Sequence, residues 1–512
     1  MPSSMDFKSK IVSFENAGQV FAEIKKMNKT IALCHGVFDL LHPGHIRHLN
    51  KAKSLADVLV VSITADKFVN KGPGRPAFIE NLRAESLANL SSVDYVVITP
   101  FATAIEIIES VRPNFYVKGK DYQEEESDVT GNITLEKQMI EKNGGNLVNT
   151  DEIVFSSSKL INQFIPNYSS EVNFWISEIK KNYGLEYVLS WLQKVSSLKI
   201  AIIGETIIDT YTNCEALGKS SKDPVLCFAK GNSVSHAGGV LAIAGHCHGL
   251  EIETKVITGL NHTDLNNLEI MKIKARGIEI ESINTSPAPT IRKERIVDSR
   301  TSMRVLELYE IQDDPLTETK DLEFIQIIKE KTRDVDVVII ADYGHGLISD
   351  EAIKYLTASK KFLALNTQVN AGNRGFNSVS RYSRADFITL NGNEAQLETR
   401  RRHTDIEIFI NSLKTKMGAK QILVTKGSSG IELYDAEQNI CKSPALAPYI
   451  KDRVGAGDAV LSITAPLAYL NAPAEIIGFF GNLVGAWAVT FVGNEQSLTK
   501  GNLIRQITAI LQ

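Results

Sequence analysis

The sequence feature that most constrains the fold is an alternation of short β-rich runs with helix-like stretches, and this alternation occurs twice along the chain. Between Lys29 and about Ile165 the β-rich runs are TIALCHGVF, DVLVVSITA, DYVVITP and FYVKG. From Leu198 a second series begins with KIAIIGETIID and continues through VDVVIIADYG to QILVTKG. Such alternation is typical of βα units on a parallel sheet. The sequence therefore predicts two α/β domains, of which the first is Rossmann-like.

The predicted domain boundaries lie where the alternation stops. Between residues 166 and 197 apolar residues recur at helical spacing without a strand pattern, which predicts a helical connector. This leaves one domain over residues 1–165 and a larger one over residues 198–512. In the larger domain, the run PVLCFAKGNSVSH has β-type content but no companion helix. We therefore expect a small additional β-sheet that acts as a lid.

Composition argues against several classes of function. A net charge of -4 argues against a polyanionic partner, so we expect no nucleic-acid binding. The chain has no apolar run of the roughly 20 residues that span a bilayer, and it starts without the apolar stretch of a signal peptide, which predicts a cytoplasmic protein without a membrane partner. Five scattered cysteines without CxxC spacing indicate reduced thiols in or near the core: Cys34, Cys214, Cys227, Cys247 and Cys441.

The first candidate site is HPGH, residues 42–45, which follows a β-rich run and precedes an amphipathic helix. Backbone N–H groups at a helix start attract phosphate, and two imidazoles there add donors for the same anion. An isolated HxGH is more often a turn with a cap. Here four further segments follow in order: NKGPGRP, ENLRAESLANL, VKGKDY and FSSSKLI.

Together these segments resemble the cytidylyltransferase-like nucleotidylyltransferases, and most closely the adenylyltransferase half of the bifunctional enzymes that make ADP-heptose. The resemblance covers about residues 28–165. It implies that His42 and His45 bind the triphosphate and stabilise charge on the α-phosphate, with Lys71 as a further catalytic residue. The other residues that it implies near the nucleotide or its phosphates are Gly36, Phe38, Gly44, Arg83, Lys118, Asp121, Ser157 and Ser158.

Two points qualify this first site. Taken singly, Lys71 and Arg83 are no different from ordinary surface charges. Only their position after HPGH in the chain makes them candidates for this site. Relatives often read NGCFD or GTFD where this chain has HGVFD, residues 35–39. We expect His35 either to adjust the choice of acceptor or nucleotide or simply to pack.

The second candidate site is the segment VGAGDAVLSITAPLAYL, in which a glycine-rich turn precedes a long apolar helix. Glycines free the backbone amides to surround an anion, and the helix start adds its positive end. Asp458 at this turn would accept the proton of an attacking hydroxyl, or would only cap the helix. Companion segments precede it in the order GETIID, AGG, ADYGHG, NGNE and VTKGSSG.

These segments resemble the ribokinase-like (pfkB) carbohydrate kinases over about residues 198–512. The resemblance implies that Asp458 is the catalytic base and that Asn391 and Glu394 organise Mg²⁺ through its waters. It implies an anion hole at Gly455, Ala456 and Gly457. The remaining implied contacts are Lys426, Gly427 and Asn482 for ATP, and Asp209, Gly238 and Gly239 for the sugar.

The chain departs from related heptose kinases on the substrate side. Ala242 stands where they carry an asparagine, and residues 366–368 read NTQ where they tend to read DPK. Losing such a polar contact changes specificity by orders of magnitude, so we expect an acceptor other than the usual heptose phosphate. The order of domains is also reversed, because the heptose enzymes place the kinase first.

Two sites that handle nucleoside triphosphates suggest consecutive steps. The first is phosphorylation of a sugar or sugar phosphate by ATP, and the second is transfer of AMP or CMP, from ATP or CTP, onto that phosphate with release of pyrophosphate. Both steps would use Mg²⁺. The alternatives are two unlinked activities on separate substrates, or a ligand-sensing protein with a degenerate kinase domain. The exposed edge of the predicted lid further predicts a homodimer.

Overall fold

The computed structural model describes residues 7–69, 75–119, 132–150, 168–399, 406–435, 437, 439–447 and 449–512. The chain divides into two compact units. The first comprises Met1–Ser169 with Gly501–Gln512, and the second comprises Ser170–Lys500.

The first unit is built around one parallel sheet. Its strands are β1 (Ile11–Val12), β2 (Ile31–Gly36), β3 (Val58–Thr64), β4 (Tyr95–Thr99), β5 (Phe115–Gly119) and β6 (Asn146–Thr150). Its helices are α1 (Phe14–Lys26), α2 (Pro43–Lys53), α3 (Glu80–Ala88), α4 (Ile105–Val111) and α5 (Asn132–Lys142). Within the described residues the strands are ordered β1-β4-β3-β2-β5-β6, and every pair is parallel. The predicted Rossmann-like domain is confirmed.

Burial on both faces of this sheet explains why its strands are nearly continuous apolar runs. All seven residues of β3 are buried, as parallel sheets covered by helices require. The chain passes from β2 to β3 and β4 on one side, and returns to β5 and β6 on the other. The carboxyl end of β2 is therefore a topological switch point, where open α/β sheets bind ligands.

The second unit begins with two helices, α6 (Ser170–Asn182) and α7 (Gly184–Ser196). The helical structure predicted between residues 166 and 197 is present, but the contacts group these helices with the second unit. The reason is the apolar face of α7, which buries Val188, Trp191, Leu192 and Val195.

The strands of the second unit are β7 (Lys199–Gly204), β8 (Thr206–Lys219), β9 (Leu226–Gly239), β10 (Glu253–Leu260), β11 (Glu279–Asn284), β12 (Ile291–Asp298), β13 (Arg304–Glu310), β14 (Val337–Asp342), β15 (Phe362–Thr367), β16 (Phe387–Asn391), β17 (Gln421–Thr425), β18 (Ile431–Tyr434) and β19 (Ile440–Ser443). Its further helices are α8 (Val240–Gly249), α9 (Leu268–Ala275), α10 (Glu318–Lys331), α11 (Asp350–Ala358), α12 (Gly392–Thr399), α13 (Ile406–Met417), α14 (Ala456–Tyr469) and α15 (Ala474–Ala488), and α16 (Lys500–Leu511) begins at the last residue of this unit.

These strands form two sheets within the described residues. The main sheet has the order β11-β10-β7-β14-β15-β16-β17-β18-β19, and is parallel except at β18 and β19. The small sheet has the order β13-β12-β8-β9. The predicted run PVLCFAKGNSVSH contributes to β9, so the expected additional sheet is present. In the main sheet, the switch point lies between β7 and β14.

Two further expectations are tested by the fold. All five cysteines are free, and Cys34, Cys214 and Cys247 are buried. No helix among the described residues has the length and apolar character needed to cross a membrane.

Candidate active sites

The HPGH segment stands at the switch point of the first unit, where β2 leads into α2. His42 caps α2, and its Nδ1 accepts a 3.1 Å hydrogen bond from the backbone N–H of Gly44. A neutral His42 ring therefore carries its proton on Nε2. The ring of His45 stacks on that of His42, with 3.9 Å between centroids. The structure thus brings both predicted imidazoles together at the start of a helix.

Phe38 and Gly36 shape the backbone beside these imidazoles. Phe38 has a φ of 49°, in the left-handed region that disfavours large side chains. Its ring lies 5.3 Å from that of His45, centroid to centroid. A Cβ on Gly36 would come within 3.2 Å of the Phe38 ring. The absence of a side chain at Gly36 therefore leaves Phe38 in place against His45.

Lys118 brings a cation to this switch point, near the end of β5 beside β2. Its ammonium lies 2.9 Å from a carboxylate oxygen of Glu136. Burial and then Lys118 lower the pKa of His35 to about 3. Nδ1 of His35 lies 2.8 Å from the Ser62 hydroxyl on β3. His35 is therefore a neutral residue that packs between strands, while its influence on specificity stays a prediction.

Arg83 is buried and bonded entirely to protein acceptors. Its guanidinium donates to the carbonyls of Phe78, Thr64 and Val37, and to the carboxylate of Asp66. These bonds join the start of α3 to the loops after β2 and β3. A phosphate contact of Arg83 stays a prediction.

Sequence reasoning missed an ion pair close to the imidazoles. Arg75 Nη1 lies 3.0 Å from Asp39 Oδ2, and both side chains are almost completely buried. Asp39 belongs to HGVFD and Arg75 to NKGPGRP, so their motifs were seen but not their contact. Lys71, Asp121, Ser157 and Ser158 lie outside the described residues, and their roles stay predictions.

In the second unit, Glu205 links the two strands at the switch point. It follows β7, and its carboxylate accepts 3.0 Å hydrogen bonds from the backbone N–H groups of Tyr343 and His345, which follow β14. Burial, and then the nearby Asp342, raise the pKa of Glu205 to about 7. Glu205 therefore fixes the ADYGHG loop against the end of β7.

Asp458 lies in the first turn of α14, directly after the glycine-rich turn. The Tyr343 hydroxyl donates a 2.8 Å hydrogen bond to Asp458 Oδ1. Burial raises the pKa of Asp458 to about 7, and Tyr343 opposes that rise. A general base is most effective when its pKa is near the working pH. This carboxylate therefore has the pKa that a base for a hydroxyl proton needs.

The glycines before Asp458 differ in what surrounds them. Gly455 caps α14 with a φ of 80°, and a Cβ there would come 2.0 Å from the Asn494 side-chain oxygen. A Cβ on Gly457 would meet nothing within 4 Å. Gly455 thus forms the turn, while Gly457 leaves open space beside the N–H groups of the helix start.

The predicted sugar-binding residues Asp209 and Gly238 are in contact. A Cβ on Gly238 would lie 2.1 Å from Asp209 Oδ2. Asp209 is buried, and its other oxygen accepts a 2.5 Å hydrogen bond from Arg295. Gly239 has a φ of 58° and caps α8. After burial, the charge of Asp209 also raises the pKa of Asp458, so the two carboxylates interact electrostatically.

Sequence reasoning missed three residues at this site: Tyr343, Lys293 and Arg295. Along β12, Ile291, Lys293 and Arg295 are buried and alternate with more exposed residues. Two buried cations in an alternating strand are the signal that sequence reasoning passed over, because charged residues rarely face inward without a partner.

The NGNE segment forms a reciprocal cap at the start of α12. Asn391 Oδ1 accepts from the Glu394 N–H at 2.9 Å, and Glu394 accepts from the Asn391 N–H at 2.8 Å. The second Glu394 oxygen accepts from the Val369 N–H. Burial raises the pKa of Glu394 to about 6. Each carboxylate oxygen keeps a free lone pair, so the donor set fits a hydrated Mg²⁺ held through water.

The residues predicted to flank ATP are placed as follows. Lys426 follows β17 and pairs with Glu432 at 2.5 Å. Gly427 has a φ of 57° and begins a 3₁₀ turn. Asn482 is buried in α15 and donates to the carbonyls of Ser443 and Gly478. Their contacts with ATP stay predictions.

The positions at which the chain departs from the heptose kinases lie in α8 and near the end of β15. Ala242 is buried within α8, and Asn366 donates a 2.9 Å hydrogen bond to the Thr389 carbonyl on β16. The following loop is held by Asn373, which donates to the carbonyls of Tyr343 and Gln368. Amide groups of the chain itself therefore fix this loop where related heptose kinases tend to carry a charged pair.

Two family models match the chain. The cytidylyltransferase-like model matches residues 33–164, and the model of the pfkB family carbohydrate kinases matches residues 197–500. Proteins named "Bifunctional protein HldE" are among the relatives. The one from Syntrophotalea carbinolica is 36% identical over 168 residues, which are 32% of this chain and 33% of that protein. The one from Campylobacter jejuni is 38% identical over 159 residues, 31% and 32% of the two chains. The chain thus spans about a third of the length of these curated relatives.

Solved structures of low sequence identity are also similar to part of the chain. Ribokinase from Thermotoga maritima is 16% identical with a TM-score of 0.47, and the match covers 61% of this chain and 99% of that one. The tetrameric inhibited form of phosphofructokinase-2 from Escherichia coli is 13% identical with a TM-score of 0.49, and the match covers 60% and 98%.

Proposed function

This chain belongs to the pfkB family of carbohydrate kinases, and on that premise we propose that it phosphorylates a sugar or sugar phosphate with ATP and then transfers a nucleotidyl group onto the new phosphate. The products are a nucleotide-activated sugar, similar to ADP-heptose, and pyrophosphate. In this proposal residues 1–165 carry out nucleotidyl transfer, residues 166–197 connect, and residues 198–512 carry out phosphorylation.

The contact between Tyr343 and Asp458 is the observation that carries the kinase step. Asp458 accepts the proton of the acceptor hydroxyl while the acceptor oxygen bonds to the γ-phosphorus of ATP. The bond from that phosphorus to the bridging oxygen breaks, and ADP leaves with its electron pair. In this proposal the N–H groups beside Gly457 receive the charge on the transferring group.

Asn391 and Glu394 are the residues that would hold Mg²⁺, through water. When bound, the ion offsets the negative charge of the nucleotide phosphates. The residues themselves keep a polar surface at the end of β16, because both side chains are fixed by backbone N–H groups.

In the nucleotidyl step, an oxygen of the sugar phosphate attacks the α-phosphorus of ATP or CTP, and the bond to pyrophosphate breaks. His42 and His45 donate to the phosphate oxygens as charge develops there, and the helix start adds its N–H groups. The stacked pair at the start of α2 supports this role. No covalent intermediate with the protein is required.

The names of the relatives support the pairing of the two activities, because "Bifunctional protein HldE" combines two in one chain. The acceptor itself differs in our proposal from that of the heptose kinases, since Ala242 and Asn366 lack the groups expected there. A second copy of the chain would pair through the small sheet, on which Leu226, Leu306 and Leu308 are exposed. A monomeric mass in solution would contradict that pairing.

The proposal is tested by a screen of sugars and sugar phosphates with ATP and Mg²⁺, with and without CTP, read by mass spectrometry. A nucleotide sugar that disappears in both His45→Ala and Asp458→Asn supports two linked steps. A sugar phosphate without any nucleotide sugar indicates separate substrates. Absence of every product, with correctly folded protein, supports a ligand-sensing role.

A further inference from the structure

A buried lysine on the small sheet lies opposite the predicted sugar-binding residue Asp209, and it has no role in the site described above. Lys293 is in β12, whose pairing with β8 places it opposite Asp209. Only 5% of Lys293 is exposed. It lies on the inward side of β12 together with Ile291 and Arg295.

Among the described residues, the Lys293 ammonium has no hydrogen-bonding or ion-pair partner. Its one recorded contact of this kind is with the ring of Tyr309, whose centroid is 5.2 Å away. By contrast, Arg295 on the same side is paired with Asp209 and Glu307. Burying an ammonium ion without a partner is costly, so a bound anion is the natural partner for Lys293.

The charges around Lys293 indicate which anion this is. Arg295 already compensates Asp209, and Asp458 and Glu205, each with a pKa of about 7, carry only part of a negative charge near neutral pH. Burial lowers the pKa of the Lys293 ammonium, and the charge of Asp209 opposes that fall. An anion bound beside the ammonium would likewise favour its charged form. The anionic group that must reach Asp458 during the kinase reaction is the phosphoryl group in transfer.

We propose that Lys293 is a catalytic residue of the kinase step, and that its ammonium binds an oxygen of the transferring phosphoryl group. This inference rests on the proposed function. Lys293 keeps its proton throughout: the acceptor proton goes to Asp458, the new bond joins acceptor oxygen to phosphorus, and ADP departs. The ammonium neutralises charge on the phosphoryl oxygens while neither bond to phosphorus is complete.

The test compares wild type, Lys293→Met and Lys293→Arg for binding of ADP with Mg²⁺, with and without aluminium fluoride. ADP with aluminium fluoride mimics the phosphoryl group in transfer, whereas ADP alone does not. Lys293→Met should bind ADP within about twofold of wild type but lose about 100-fold of the tightening caused by fluoride. Lys293→Arg should recover part of that tightening, because it keeps the charge. Lys219→Met, at the exposed end of β8, is the matched control.

Steady-state kinetics provide the second readout. In Lys293→Met, kcat should fall about 100- to 1,000-fold with every acceptor, while the acceptor KM changes little. A raised KM confined to phosphorylated acceptors, with kcat and the fluoride effect unchanged, would overturn the proposal in favour of binding to the acceptor's own phosphate. A fall in Tm and in ADP affinity that Lys293→Arg does not restore would show a structural role only. A wild type without phosphoryl transfer or fluoride tightening would overturn the proposed kinase function itself.

Discussion

The Tyr343 hydroxyl lies 2.8 Å from the Asp458 carboxylate and donates a hydrogen bond to it. Burial raises the pKa of Asp458 to about 7, whereas this hydrogen bond stabilises the ionised form and lowers it. The base acts only when it has lost its proton. The kinase rate should therefore rise with pH, with a midpoint near 7.

Tyr343→Phe should move this midpoint to higher pH. Without the phenol, ionised Asp458 loses a donor and its pKa rises further. The rate at pH 7 should fall about tenfold and recover toward the wild-type value near pH 9. The measurement is the pH profile of kcat for both proteins. A uniform loss at every pH, with the midpoint unchanged, would contradict this role of Tyr343.

Alanine at Gly457 should leave stability nearly unchanged, whereas alanine at Gly455 should lower it. Gly457→Ala adds a methyl group to open space, so Tm should stay within about 2 °C of wild type while the kinase rate falls about 100-fold or more, because phosphate is excluded from the helix start. Gly455→Ala forces a left-handed φ on a residue with a Cβ and displaces Asn494, so unfolding should become easier by about 2 kcal/mol or more. Thermal unfolding and kinase assays separate the two. A Gly457→Ala protein with wild-type activity would exclude an anion hole there.

The sequence could predict the strands and motifs that depend on local pattern. Alternating β-rich and amphipathic runs locate β2 and β7, and both HPGH and the GETIID segment follow such strands. Both motifs then lie at the carboxyl ends of parallel strands, where open α/β sheets bind ligands.

The sequence could not predict side-chain contacts that depend on how distant strands and loops come together. Lys293 lies beside Asp209 only because β12 pairs with β8 in one register, and a shift by one residue would turn Lys293 outward. The burial of Arg83 likewise depends on carbonyls from separate loops, among them that of Val37. The alternation of inward and outward side chains along one strand does not say which strand or loop that strand will contact, or in which register.

Asp458→Asn should abolish phosphorylation yet stabilise the protein at alkaline pH. The folded-state pKa of Asp458, about 7, is raised above its usual value, so its contribution to stability is complete at low pH and is lost as pH rises through 7. Asparagine stays neutral and avoids this loss. The variant's Tm should exceed that of wild type by about 2–4 °C at pH 8 and by less at pH 5, because pH 5 lies between the usual pKa of 3.8 and the raised pKa, where only part of the contribution is lost. An equal Tm difference at both pH values would contradict the raised pKa.

Two variants of the first unit should separate catalysis from folding. His45→Ala removes a partly exposed ring, so the protein should stay folded and keep kinase activity while nucleotidyl transfer falls about 100-fold or more. Arg83→Met removes the donor of the buried Thr64 carbonyl and the ion-pair partner of Asp66, which should lower the free energy of unfolding by about 3 kcal/mol. Loss of kinase activity in folded His45→Ala would argue against independent sites.

The central claim is that one enzyme attaches the phosphate and then activates that same phosphate. ATP labelled with ¹⁸O in its γ-phosphate, supplied with the acceptor found in the screen, tests this directly by mass spectrometry of the nucleotide sugar. We predict label in the phosphate attached to the sugar, and no nucleotide sugar from Asp458→Asn unless the sugar phosphate is added. A nucleotide sugar without label, or one formed equally well by Asp458→Asn from the unphosphorylated acceptor, would contradict the linked reaction.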